Sequence, residues 1–150
     1  MKIFRGLQIQ EVVSEMNEIM FSTDLTEDRD SYSHLLTRRG AMFLYDDTIC
    51  IMTDDMNSFL LANIDDHIIE VDMWAGRDNK IGFKAMFQYV NTLKSLFDDN
   101  REITIRANFR TSTSLPIMQK LIKRYNMEIE YMNDEENGFV LMSILYDPER

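Results

Sequence analysis

The sequence is short of cysteine, of positive charge and of long apolar runs, and each shortage removes a class of protein. A lone cysteine, Cys50, leaves no partner for an internal disulfide, and its place in an apolar strand-like run reads as a buried, inert thiol. Lys and Arg number 16 against 26 Asp and Glu, a formal net charge of −10, so no basic stripe exists to release counterions from a nucleic acid. No apolar stretch approaches the ~20 residues that span a bilayer. The opening Met1-Lys-Ile-Phe-Arg-Gly6 carries no signal-peptide core, which sets the expectation of a cytoplasmic protein. Repeats, linkers and low-complexity segments are absent. The paired aspartates at 46/47, 54/55, 65/66 and 98/99 lack the D-x-D-x-D-G spacing that gathers oxygens around one ion, so they read as solvated turns and no metal is expected. His34 and His67 stand alone, with no Ser or Cys motif beside them, which argues against a triad or a zinc site.

What remains is a globular composition. Of 150 residues, 45% are hydrophobic and 11% aromatic, enough for one domain over residues 1–150 with a core on both sides of a sheet. The acidic field attracts cationic partners, a polyamine, an aminoglycoside, a lysine side chain or a basic protein tail. The same charge also serves plain solubility.

Along the chain, Lys2 to Arg5 reads as a strand. Ile9 to Phe21 reads as a helix with Val12, Val13, Met16, Ile19 and Met20 on one face, a core stripe. Ser22, Thr23, Asp24 and Thr26 are cap candidates for a second helix from Arg29 to Arg38, stopped at Gly40. Ala41 to Tyr45 and Thr48 to Thr53 flank Asp46-Asp47 as a hairpin. Ser58 to Asn63 and His67 to Trp74 flank Asp65-Asp66 in the same way. A helix from Ile81 to Phe97, with Phe83, Met86, Phe87, Val90, Leu93 and Phe97 inward, then crosses over to a parallel strand, Glu102 to Arg106. A last helix, Leu115 to Tyr125, turns Leu115, Met118, Leu121 and Ile122 inward, with Pro116 tolerated in its first turn. Met127 to Met132 and Gly138 to Leu145 close the chain as strands around an acidic turn.

The stretch from His67 to Val90 organises this layout. A strand ending at Trp74, the loop Ala75-Gly-Arg-Asp-Asn-Lys-Ile-Gly82 and a helix leave free backbone N–H groups and a positive dipole end at one place, an anion site. Arg77-Asp-Asn-Lys-Ile-Gly82 resembles the R/Q-x-x-G-x-G/A pyrophosphate loop of the GNAT superfamily of N-acetyltransferases, with the first Arg and the last Gly in place. Asn108-Phe-Arg-Thr-Ser-Thr-Ser-Leu-Pro-Ile-Met-Gln-Lys-Leu121 is similar to that family's late segment, in which an Asn-rich turn after a strand leads into a helix. The likeness spans roughly residues 40 to 145. It implies a mixed α/β (α+β) fold, a central mostly antiparallel sheet with one parallel strand pair and helices on both faces. It also implies acetyl-CoA as acyl donor, with the first helices bordering the acceptor side.

Under that resemblance, Trp74, Arg77, Asp78, Asn79, Lys80, Ile81 and Gly82 are the expected cofactor-binding residues, with Asn108 as a secondary contact and Lys84 as a helper. Glu70 and Asp72, two apart on the strand, are candidate general bases, or else a polar strand face. Two positions depart from the family. Lys80 stands where the pattern has Gly. Met118 stands four residues into the last core helix, where many members place a Tyr that protonates the leaving thiolate; Tyr125 lies too far along to replace it. Two readings follow. One is an N-acetyltransferase that moves an acetyl group to a cationic amine by direct attack. The other is a catalytically degenerate GNAT-fold protein, of the kind found among viral virion components and host-directed binders, that contacts a basic protein partner.

Overall fold

Gly6, Ile9 and Val12 are spaced three apart and all buried, and three is the repeat of a 3-10 helix. In the computed structural model, which describes residues 1–22, 47–79, 82–97, 102–125 and 127–147, that helix runs over Gly6–Val12 after strand β1, Lys2–Arg5. It passes at Val12 into α1, Val13–Phe21, which buries Met16, Ile19 and Met20 at spacings of three and four. The single helix expected from Ile9 is therefore two. Gly6 at φ 55° starts the tighter turn, the Arg5 N–H donates to the Gln8 side chain at 3.1 Å, and the adjacent β-branched Val12 and Val13 mark the junction. Ser22 is the C-cap of α1, and the helix it is expected to lead into lies outside the described residues. The expected helix from Arg29 to Arg38, the strand from Ala41 to Tyr45, His34, Thr23, Asp24, Thr26, Lys80 and Ile81 lie outside the described residues.

Among the described residues, seven strands form one sheet in the order β1-β2-β3-β4-β5-β7-β6, with β2 at Thr48–Met52, β3 at Ser58–Asp65, β4 at Ile68–Gly76, β5 at Ile103–Arg110, β6 at Glu128–Met132 and β7 at Phe139–Tyr146. It is mostly antiparallel, and β4 with β5 is the parallel pair, as expected. The chain divides into two compact units.

The first unit comprises Met1–Asn63 and Asp72–Ile81. Strand alternation places Cys50 and Met52, Phe59 and Leu61, and Met73 and Ala75 on one face, where Ile9, Val12, Met16, Ile19 and Met20 cover them. Each large side chain fully buried there stabilises the unit by about 1.5–3 kcal/mol relative to exposure. Cys50 has no exposed surface, and burial pushes its thiol up to about 12, so the inert-thiol reading holds.

The second unit comprises Ile64–Val71 and Gly82–Arg150. The turn at Asp66, φ 53°, reverses β3 into β4. Helix α2, Phe83–Ser95, crosses to β5, whose register with β4 is Ile68↔Thr104, Ile69↔Ile105 and Glu70↔Arg106. Against β7, in contrast, all eight β5 residues are paired, Ile103↔Tyr146 through Arg110↔Phe139. Asn108 and Phe109 are thus strand, not an Asn-rich turn, because Phe109 is wholly buried opposite Val140. The turn comes at Thr111–Thr113, before α3, Ser114–Arg124. Helix α2 buries Met86, Tyr89, Val90 and Leu93, and α3 buries Met118, Leu121 and Ile122. Tyr89 was not on the expected face; it is fully buried, while Phe83 and Phe87 are only half-buried. Phe87 instead stacks on Tyr125 at 4.5 Å and 14°. Among the described residues no helix is long and apolar enough to cross a membrane.

Candidate functional site

The loop after β4 is held from two sides. One hold begins in the β2–β3 turn, where the Thr53 hydroxyl donates to Asp55 Oδ1 at 2.7 Å and accepts the N–H groups of Asn57 and Ser58 at 3.2 and 3.1 Å. Asp55 Oδ1 also accepts the Asn57 N–H at 3.0 Å. These donors, the Thr53 hydroxyl first, hold the Asp55 carboxyl below its ordinary range. A side chain that satisfies its own turn fixes the next residue, and here that residue is Asn57. The Asn57 carbonyl accepts the Arg77 N–H at 2.7 Å, and its Oδ1 accepts the Arg77 Nε–H at 3.1 Å.

The other hold is Ser22, at the end of α1. Its hydroxyl donates to the Ile19 carbonyl at 2.6 Å and accepts the Asp78 N–H at 2.9 Å. Asp78 sits in the left-handed region, φ 56° and ψ 31°, inside the 3-10 turn Arg77–Asn79. The amides of Arg77 and Asp78, expected to cradle an anion, therefore donate to protein acceptors. The Arg77 side chain meets Asn57 through Nε, and its Nη groups add further donors.

The helix side of the loop differs. Gly82 is the N-cap of α2, with φ −81°, ψ 168° and no side-chain cap, and the first intrahelical bond is Met86 N–H to Gly82 C=O at 3.1 Å. The N–H groups of Phe83, Lys84 and Ala85 lie ahead of that bond and have no carbonyl of their own helix four residues back. Among the described residues, a Cβ built on Gly82 would meet nothing within 4 Å, so these residues leave the space before this cap open. A helix of 13 residues focuses roughly half a positive charge there. Lys84 is exposed in the first turn, and the Arg124 guanidinium lies 5.8 Å over the Phe83 ring.

The candidate bases have different surroundings. Glu70 is exposed and forms a 3.6 Å ion pair with Arg106 Nη1. Asp72 is half-buried; its Oδ2 accepts Asn63 Nδ2–H at 2.8 Å, and Asn63 Oδ1 accepts the Thr48 hydroxyl at 2.9 Å. Trp74 is half-buried in β4 and Asn108 exposed in β5 opposite Leu141. Met118, standing where the family places a Tyr, has no exposed surface, and a thioether has no proton to give. Asn57 and Ser22 escaped the sequence reading. The Thr53-Asp-Asp-Met-Asn57 composition marks a turn, but which loop the turn reaches depends on strand pairing.

No family model matches the sequence, and no curated protein matches it. Solved structures do match in fold. A protein described as an acetyltransferase from Staphylococcus epidermidis superposes with a TM-score of 0.62 at 10% identity, over 97% of this chain and 96% of that one. A protein assigned to the GNAT family of acetyltransferases from Desulfovibrio desulfuricans gives 0.57 at 11%, over 98% of both chains. The aminoglycoside 6'-N-acetyltransferase of Enterococcus faecium gives 0.54 at 9%, over 99% and 97%. At such identities the likeness establishes the fold, which is that of the GNAT acetyltransferases, in agreement with the expectation from residues 77–82 and 108–121.

Proposed function

We propose that the chain is an N-acetyltransferase that takes acetyl-CoA as donor and a cationic amine as acceptor. The observation that carries this reading is the N-terminus of α2 at Gly82, which has no side-chain cap and faces open space among the described residues, on a fold shared with acetyltransferases. The N–H groups of Phe83, Lys84 and Ala85 would hold the donor's diphosphate, with the Lys84 ammonium as a charged helper, and Arg77 stays a candidate contact from the loop. Asp78 shapes the loop through Ser22 instead of binding the anion. Asn79, Trp74 and Asn108 are further proposed donor contacts, together with Lys80 and Ile81, which lie outside the described residues.

The bound donor supplies an activated acyl carbon. An acceptor amine must reach it neutral, and Glu70 or Asp72 would take the ammonium proton, directly or through water. As the C–N bond forms and the C–S bond breaks, the departing sulfur needs a proton. Met118 cannot give one, so water passes to it the proton that the acylated nitrogen sheds. The net charge of −10 draws the cationic acceptor in. No metal takes part in this scheme, and neither nucleic acid nor membrane is a partner in it.

The buried Met118 favours a second reading, an interaction protein on the same fold that binds a basic protein without acyl transfer. Calorimetry and thermal unfolding with acetyl-CoA separate the two. The transferase reading expects saturable heat and stabilisation of about 2.7 kcal/mol at a hundredfold excess over Kd. No heat and no shift at millimolar acetyl-CoA would leave only the second reading.

A further inference from the structure

Among the described residues strand β6 ends the sheet, paired on one side with β7, and all five of its residues are exposed. Terminal strands offer backbone donors and acceptors along their outer edge, and proteins usually blunt such edges with charge. Here the bulge does something specific. Ile129 pairs with Ile144 and Met132 with Met142, while Tyr131 pairs with Ser143, so the register slips by one between Ile129 and Tyr131. Ile144 and Met142 lie two apart on β7, on one face, and both are fully buried. Ile129 and Met132 therefore carry that apolar face out to the edge, at 41% and 49% exposure. The opposite face holds Tyr131, 56% exposed, beside Glu130, whose Oε2 accepts the Ser143 hydroxyl at 3.2 Å.

The charge around this edge has one sign. Residues 128–137 read Glu-Ile-Glu-Tyr-Met-Asn-Asp-Glu-Glu-Asn, five acids and no base, with Asp134, Glu135 and Glu136 exposed in the following turn. A second copy laid antiparallel along β6 would set these acids against their own kind, in a chain already at −10. An extended segment of alternating basic and apolar residues meets the opposite situation, since its apolar residues cover Ile129 and Met132 on one face while its cations meet carboxylates and the Tyr131 ring on the other. We infer that the outer edge of β6, with the acidic turn that follows it, is a docking edge for a basic extended polypeptide. The inference goes beyond acyl transfer and does not depend on acetyl-CoA binding.

The probe is an N-acetylated, fluorescein-labelled decapeptide of alternating Arg and Val, which has no amine to acetylate and so reports docking apart from catalysis. Its Glu–Val counterpart is the control. The full chain should bind the Arg–Val probe and not the Glu–Val one, with slowed amide exchange at residues 129–132. Glu128→Lys/Glu130→Lys should weaken binding at least tenfold while the far-ultraviolet spectrum stays unchanged, and Tyr131→Lys should do so independently. Equal affinity after charge reversal, exchange protection elsewhere, or a concentration-dependent dimer abolished by Tyr131→Lys would each overturn the proposal.

Discussion

Arg77 gives two donors to one residue: its backbone N–H lies 2.7 Å from the Asn57 carbonyl and its Nε–H 3.1 Å from the Asn57 side-chain oxygen. A residue 20 positions earlier in the chain thus sets where the loop after β4 leaves the sheet. The same contacts spend the Arg77 amide, so the anion-binding capacity shifts toward α2.

Asn57→Ala removes the side-chain acceptor and keeps the backbone one. Because the bond is exposed, stability should fall by only about 0.5–1.5 kcal/mol, while acetyl-CoA affinity falls several-fold through a loosened loop. Urea unfolding and calorimetry on the same sample measure both. Ser22→Ala, which releases the Asp78 N–H, should behave alike.

Gly82→Ala should keep the fold while lowering stability by about 1 kcal/mol, since the added methyl meets open space among the described residues and φ −81° suits any residue, but Ala is a poorer N-cap than Gly. If that space belongs to the donor's diphosphate, affinity for acetyl-CoA drops at least tenfold. Unchanged affinity in the variant would place the donor elsewhere.

For the proton acceptor, Glu70→Gln and Asp72→Asn should separate. Whichever carboxylate serves as base loses about 10²–10⁴ in kcat on removal, and the other variant stays near wild type. Asp72→Asn also disturbs the chain through Asn63 to Thr48, so its unfolding curve must be read beside its rate. Equal, small effects from both would take these two residues out of the reaction.

Cys50 makes a prediction about alkali. Its thiol rises from 9.0 in the free group to about 12 in the fold, so the folded state keeps a proton the unfolded chain has lost. The stabilising contribution is complete below pH 9, declines as pH climbs from 9 toward 12, and is gone above. The slope reaches at most about 1.4 kcal/mol per pH unit. Cys50→Ala should lower stability at neutral pH yet flatten its decline over that window. In the native protein at pH 8 a thiol reagent should not react, and one thiol should titrate after denaturation.

Much of this was legible along the chain because periodicity and turn chemistry act locally. The helix of Met86, Val90 and Leu93, the reversal at Asp65-Asp66 and the parallel return to β5 follow from spacing and connection length. What lay hidden depends on contacts made across the fold. Val12 and Val13 sit in a pattern that fits an α-helix as well as a 3-10 helix, and only packing of Gly6 and Ile9 decides. Phe109 continues β5 because β7 lies opposite, a partner 31 residues later by register with Val140. At the site, the open Gly82 cap was readable from the loop and helix pattern, whereas the loss of the Arg77 and Asp78 amides to Asn57 and Ser22 has no local signature.

The central claim is that the donor's phosphates are met by the first turn of α2 and not by the front of the loop. Amide chemical shifts of the full chain during titration with coenzyme A test this residue by residue. Large, saturable shifts at Phe83, Lys84 and Ala85, with Arg77 and Asp78 little changed, are the predicted result. Movement at Arg77 and Asp78 alone, or none in either group at millimolar ligand, would contradict it.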